Sequence, residues 1–321
     1  MTSAIGVGTS SGGVVCRIVE AGDGVRDALD QLRHGGTVLT RHDRVVNIAA
    51  RHGRLLALHG PDVALTPFGL VVDPVPSAWP APGTPISRSN TLLAVGSLTV
   101  DLATVLLAAP VLPVPAVPPG VTVAGSGDVT MDALSIAHET LAPFVAGSAF
   151  GCWWRLTSDD GGALGSALHR RGREAILAMQ AALQFGLPDR ARIGLAACGL
   201  VGLGPGATPA GDDLVLGFLG AWQVFGPCPN DARRVVQAVS HHAEAATTRL
   251  AAELYYHLAH GRLSRPVRTL LDASSFGQRE DIIVAATDLC GFGATSGRDT
   301  IAGIHAYLAA RTRDGSLSDR S

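Results

Sequence analysis

In the N-terminal third, short apolar runs rich in β-branched residues alternate with Gly and Asp, a pattern suited to strands joined by tight turns. Runs at 13–19, 37–40, 44–49, 55–59 and 69–72 read as strands. The third and fourth are joined by Arg51-His52-Gly53-Arg54, so the architecture is hairpin-like. Between 23 and 32, Val25, Leu29 and Leu32 fall at helical spacing and predict one short helix among the strands. The most apolar tract, 92–109, is broken by Gly96, Ser97 and Asp101 and falls short of the roughly 20 apolar residues a membrane span needs, so it reads as core.

Beyond Val129 the apolar spacing becomes helical. Segments 131–145, 163–185, 214–225, 232–260, 267–271 and 282–289 predict helices, and 299–310 closes the fold, with a polar tail after Arg311. Between the two textures lie Pro-rich stretches at 74–85 and 110–119. The second removes backbone donors and holds extended geometry, so it reads as the linker. The expected fold is α+β, with a β-rich domain at 1–119 followed by a mostly helical domain at 120–321. A chain of 321 residues is long for a single core, which agrees with two domains.

Composition narrows the chemistry. An apolar fraction of 47% and a net charge of -2 describe a folded protein without the basic, aromatic-interleaved surface that nucleic acid requires. All 25 basic residues are Arg, which excludes a P-loop lysine and a lysine Schiff base. Cys16, Cys152, Cys198, Cys228 and Cys290 are widely separated, without a CxxC pair, and read as reduced thiols of a cytoplasmic protein. The first residues carry no export pattern.

The chain writes nearly the same loop twice. Gly206-Ala207-Thr208-Pro209-Ala210-Gly211-Asp212 and Gly293-Ala294-Thr295-Ser296-Gly297-Arg298-Asp299 agree at Gly, Ala, Thr and Asp, and each runs into an apolar helical stretch. A helix start carries unpaired N–H groups and fractional positive charge, and glycine lets an anion approach the backbone. Gly204, Gly206, Thr208, Thr295, Ser296 and Gly297 are therefore candidate anion contacts, with Arg298 as a clamp. Asp212, Asp213 and Asp299 are candidate catalytic residues: they can orient these groups, act as a base, or hold Mg²⁺ beside a phosphate. The plainer readings are that the aspartates complement helix dipoles and that Arg298 pairs on the surface. In this register Asp212 stands opposite Asp299.

Other candidates carry less. His241-His242 with Glu244 does not match a zinc-binding HExxH, while His305 can face the second loop. Thr247-Thr248-Arg249 places hydroxyls beside a cation on the predicted long helix, Trp153-Trp154 reads as core, and Thr9-Ser10-Ser11-Gly12-Gly13 lacks the Lys of a phosphate loop. Asn47, an amide within an apolar run, is a candidate substrate contact and reads either as a solvent-face residue or as a polar contact to the other domain.

Gly202-Leu203-Gly204-Pro205-Gly206-Ala207-Thr208-Pro209-Ala210-Gly211-Asp212-Asp213 resembles the G-L-G-P-G-x-T-P-S-G-D-D signature of the AllH-like subunits of oxamate carbamoyltransferase. Thr295-Ser296-Gly297-Arg298-Asp299 is similar to that family's T-S-G-x-D, and the strand pair from Arg44 to Leu58 with Asn47 supports the likeness. Ala210 stands where the family usually has Ser and Ala294 where it often has His, so no hydroxyl or imidazole role transfers to those positions. The resemblance implies purine or ureide breakdown, with a carbamoyl group moved between oxalurate and phosphate to give oxamate and carbamoyl phosphate. It also implies a hetero-oligomer with an FdrA-like subunit and a further subunit. A non-catalytic scaffold or regulatory role in that complex, and a metal-dependent hydrolase or phosphotransferase built on the aspartates, are the competing readings.

Overall fold

The computed structural model describes residues 14–107, 129–149, 162–183 and 188–318, and it divides into two compact units, Met1–Val111 and Leu112–Ser321. The fold is α+β, strands first and helices after. The Pro-rich stretch at 110–119, Thr9 to Gly13, Cys152 and Trp153-Trp154 lie outside the described residues.

The first unit is a closed barrel. Its strands are β1 (Val14–Ala21), β2 (Gly36–Arg41), β3 (Val45–Ala50), β4 (Leu55–His59), β5 (Gly69–Asp73), β6 (Pro85–Arg88), β7 (Leu92–Val95) and β8 (Leu98–Asp101), in the order β1-β5-β4-β3-β2-β6-β7-β8. Most neighbours are antiparallel, but β1 pairs with β8 and β4 with β5 in parallel, and the former closes the ring. The last three strands were not legible as strands. They are four residues each, too short to show a clear period, and β7 and β8 lie in the mostly apolar tract at 92–109 that read only as core. A short helix, α1 (Val25–Leu32), turns Val25, Ala28, Leu29 and Leu32 onto the core built by Val46, Ile48, Leu56 and Leu58. β3 and β4 are buried along almost their whole length, so they read as apolar runs without alternation.

The second unit contains α3 (Met131–Leu141), α4 (Gly162–Leu183), α5 (Arg190–Cys198), α6 (Ala210–Phe225), α7 (Pro229–Ala246), α8 (Arg249–Ala259), α9 (Arg265–Phe276), α10 (Arg279–Cys290) and α11 (Ser296–Ser318), preceded in the chain by α2 (Ala103–Leu107). Local chemistry sets several starts. Thr130, Asp189 and Thr248 accept from the N–H groups of Ala133, Arg192 and Ala251, and Pro229 sits in the first turn of α7. The continuous helix expected over 232–260 is in fact two helices. Thr247 is extended and the Thr248 side chain caps α8, because a β-branched residue followed by a hydroxyl acceptor favours a break and a new start. α5 was also missed: its apolar positions give almost no one-sided periodicity.

α6 and α11 form the centre of this unit and share its most extensive contact. Apart from its last turn, α6 is buried on nearly every side, with Leu214, Val215, Phe218, Leu219 and Trp222 fully enclosed. Glycine makes the crossing close. A Cβ at Gly217 would collide with the Thr300 carbonyl oxygen, and one at Gly303 with that of Leu214. Among the described residues no helix is long and apolar enough to cross a membrane.

Candidate functional site

Two helix-loop-helix units deliver the repeated loops. In the first, α5 ends at Gly199, Leu203 N–H donates to Leu200 (3.0 Å), and the chain reaches α6 with Gly211 N–H donating to Leu203 (2.8 Å). In the second, α10 ends at Gly291, Phe292 N–H donates to Leu289 (3.0 Å), and Gly297 N–H donates to Phe292 (3.0 Å). Gly211 lies against the Leu200 carbonyl as Gly297 lies against that of Leu289, approaches that a side chain would block. The structural equivalents are thus Leu200 and Leu289, Leu203 and Phe292, Gly211 and Gly297. The first loop is longer between these anchors, and the extra length uses Gly204 (φ 118°) and Gly206 (φ 105°), backbone that favours glycine.

That difference corrects the register read from sequence. Counting from Gly211 and Gly297, Asp213 is the counterpart of Asp299; Asp212 is not. The reciprocal contacts of Gly217 with Thr300 and Gly303 with Leu214 keep the same alignment along the helices, so the pair is related by a local two-fold.

The loops meet. Thr208 Oγ1 lies 2.7 Å from Ser296 Oγ, which joins the entrance of α6 to that of α11. Both hydroxyls face the Asp213 carboxyl, and the Thr295 hydroxyl serves Asp299. Thr248 adds a third element by donating from Oγ1 to the Ala207 carbonyl (2.5 Å).

All three aspartates are buried. Asp212 accepts from the Gly202 N–H at 3.1 and 3.2 Å and from Thr247 Oγ1 at 2.6 Å, so its carboxylate pins the first loop to the break between α7 and α8. Asp299 Oδ1 accepts from Ser148 Oγ (2.6 Å) and Ala149 N–H (2.8 Å), pinning a segment far away in sequence. Among the described residues Asp213 Oδ2 and Asp299 Oδ2 have no hydrogen-bond partner. Burial raises the pKa of Asp212 and Asp299 against the pull of those donors. Asp213 is pushed up to about 8, first by burial and further by the charges of Asp299 and Asp212, so it is a neutral acid at neutral pH. The three carboxyls therefore carry less negative charge than the sequence suggests.

The remaining candidates fall as follows. Arg298 is exposed beside the α11 entrance and makes no ion pair among the described residues. Asn47 lies in the other unit, where its Nδ2 donates to Thr40 Oγ1 (2.9 Å) across the β2–β3 pair. His305 stacks on His138 with ring centroids 4.4 Å apart, while exposed His241 lies near Glu244. Thr247 also belongs to the site, as do Ser148, Ala149 and Tyr255, whose hydroxyl approaches the Asp212 carbonyl at 3.4 Å; the last three were not picked out. Thr247 carried a weak signal as part of a hydroxyl pair; Ser148 carried none. We expect Thr247→Val to lower stability by about 1–3 kcal/mol, because it leaves the buried Asp212 carboxylate short of a donor; a thermal melt checks this.

Residues 17–107 match the AllH family N-terminal domain, and residues 200–308 match the oxamate carbamoyltransferase subunit AllH family. The chain belongs to the AllH family. Together the two matches take in most of the chain, and the second contains both Gly/Thr/Asp loops. AllH membership makes it a carbamoyltransferase subunit, and hence part of a complex with other subunits. No curated protein and no solved structure gives a significant match. Of the two positions that depart from the family pattern, Ala210 is buried at the start of α6 and Ala294 is exposed in the second loop.

Proposed function

We propose that this AllH-family chain binds the small anionic substrates of carbamoyl transfer, phosphate or carbamoyl phosphate with oxalurate or oxamate, in the mouth between its two Gly/Thr/Asp loops. The observation that carries the reading is the 2.7 Å contact of Thr208 with Ser296, which brings two helix entrances to one place. Backbone N–H groups around Gly204 and Gly206 and the hydroxyls of Thr208, Thr295 and Ser296 would hold the anion, with Arg298 closing on it through paired N–H bonds; Gly297 shapes the turn, its N–H being taken by Phe292. The setting is purine or ureide catabolism in the cytoplasm, beside an FdrA-like subunit and a further subunit.

In this reading the phosphate oxygen attacks the carbamoyl carbon of oxalurate, the bond from that carbon to the oxamate nitrogen breaks, and the nitrogen leaves with a proton. Asp213 supplies that proton from its carboxylic acid and recovers one from the phosphate hydroxyl. Positioned acids of this kind contribute about 10²–10⁴-fold. Asp212 and Asp299 act as positioning residues, since their oxygens hold loop backbone and hydroxyls.

Isothermal titration of the purified chain with carbamoyl phosphate and with oxalurate tests the reading, with a Thr208→Ala/Ser296→Ala variant expected to bind at least about tenfold more weakly. A second reading, a scaffold for chemistry elsewhere in the complex, draws on the structural bonds of Asp212 and Asp299; no heat from the isolated chain, with full activity once partners are added, would establish it. A Mg²⁺ site on the aspartates draws less support, since among the described residues no group of three His, Cys, Asp or Glu is placed to hold an ion and the Asp212 oxygens are engaged. Strict loss of activity on chelation would favour the metal-dependent hydrolase or phosphotransferase instead.

A further inference from the structure

We infer that Asp299 Oδ2 accepts from the NH₂ of the carbamoyl group and so sets the choice of a carbamoyl over an acyl substrate. The inference rests on the anion site proposed above. The groups assigned there to the anion serve chiefly as donors: backbone N–H groups near Gly204 and Gly206, the hydroxyls of Thr208, Thr295 and Ser296, and the Arg298 guanidinium. Such a lining holds phosphate and carboxylate, but neither a backbone N–H nor a guanidinium can accept from an amide nitrogen. Every substrate of carbamoyl transfer other than phosphate itself carries an NH₂, and a buried N–H left without an acceptor weakens binding.

Two carboxyl oxygens supply what is missing. Asp299 is fully buried, and Ser148 Oγ (2.6 Å) and Ala149 N–H (2.8 Å) both donate to its Oδ1, while Oδ2 has no partner among the described residues. Asp213, its counterpart across the local two-fold, is 3% exposed, receives the Thr208 and Ser296 hydroxyls, and likewise has an Oδ2 without a partner among the described residues. An unpaired buried oxygen costs stability and marks a place for a donor that arrives from outside the fold. The Asp299 N–H donates to the Thr295 carbonyl (3.0 Å), which ties this carboxyl to the hydroxyls that would hold phosphate.

The pair matches a ureido centre. In oxalurate the carbamoyl carbon lies between two nitrogens, one that stays with it as NH₂ and one that leaves with oxamate, and the two-fold offers one carboxyl to each. The carboxyls are not equivalent. A backbone N–H and two hydroxyls draw Asp299 toward the charged form, an acceptor, whereas Asp213 is the neutral acid that serves the leaving nitrogen.

Titration of the full chain with carbamoyl phosphate, acetyl phosphate and inorganic phosphate tests this, since acetyl phosphate puts a methyl of nearly the same size in place of NH₂. The parent is expected to bind carbamoyl phosphate at least about tenfold more tightly than acetyl phosphate, and Asp299→Asn to bind the two within about twofold of each other. The Asn amide oxygen can stay with Ser148 and Ala149, which turns its own NH₂ toward the ligand where Oδ2 stood. A purely structural Asp299 would weaken all three ligands together and leave the ratio unchanged, and that result overturns the inference. So does a parent that binds carbamoyl and acetyl phosphate alike, an outcome readable even where the variant fails to fold. Phosphate binding without the carbamoyl preference leaves the anion site standing, whereas no heat with any of the three ligands removes both.

Discussion

Replacing Asp213 with Asn is expected to stabilise the protein while removing most of its contribution to transfer. Asp213 is 3% exposed, Oδ2 has no partner among the described residues, and burial with two neighbouring carboxyls pushes its pKa up to about 8. Its folded value lies above the unfolded value of about 4, so between those limits the folded chain keeps a proton that the unfolded chain has released. Stability therefore falls as pH rises from about 4 to about 8 and levels off above, where both states are ionised. At pH 7 the cost relative to a neutral side chain is on the order of 4 kcal/mol. Asn keeps the shape and stays neutral, so the variant should melt higher at pH 7 and lose this component of the pH slope. Anion affinity of the parent should drop above pH about 8, when Asp213 adds negative charge to the mouth, and the Asn variant should lack that drop. Turnover in the assembled complex should fall about 10²–10⁴-fold, since Asn cannot deliver a proton. An Asn variant that melts no higher than the parent across this range would remove the buried neutral acid, and full turnover would remove its chemical role.

The largest loss of stability is expected from Gly217→Ala or Gly303→Ala. Each added methyl would strike a backbone carbonyl of the facing helix, and the backbone on both sides is fully packed, so no flexible side chain can give way. We expect more than about 3 kcal/mol for either change. Forcing α6 and α11 apart also separates Thr208 from Ser296, so any residual folded protein should bind anions poorly. Gly220→Ala on the same helix is the control. Its nearest neighbour would be Leu263 Cδ2 at 3.4 Å, ordinary contact, and the gain in helix propensity is about 0.5–1 kcal/mol. Equal melting of the Gly217 and Gly220 variants would show that the close crossing is not what holds the two loops together.

Much of this was legible because it is local. Short apolar, β-branched runs bounded by Gly and Asp placed β1 to β5, helical spacing placed α1 and most of the later helices, and the glycine-threonine-aspartate motifs marked both loops. The failures have local causes too: β6 to β8 are only four residues each, α5 has no apolar stripe, and Thr247 breaks a stretch whose propensity is otherwise helical.

By itself the sequence determined the fold class, the two motifs and the helix entrances, since these depend on spacing, capping and backbone freedom within a few residues. Only the tertiary structure decided that Asp213, and not Asp212, is the counterpart of Asp299, that Ser148 and Thr247 hold the buried carboxylates, and that Asn47 is spent on Thr40. The reason is physical. Register between two distant helices is set by where backbone carbonyls find room beside glycine, and a carboxyl's charge is set by what surrounds it, neither of which a linear pattern contains.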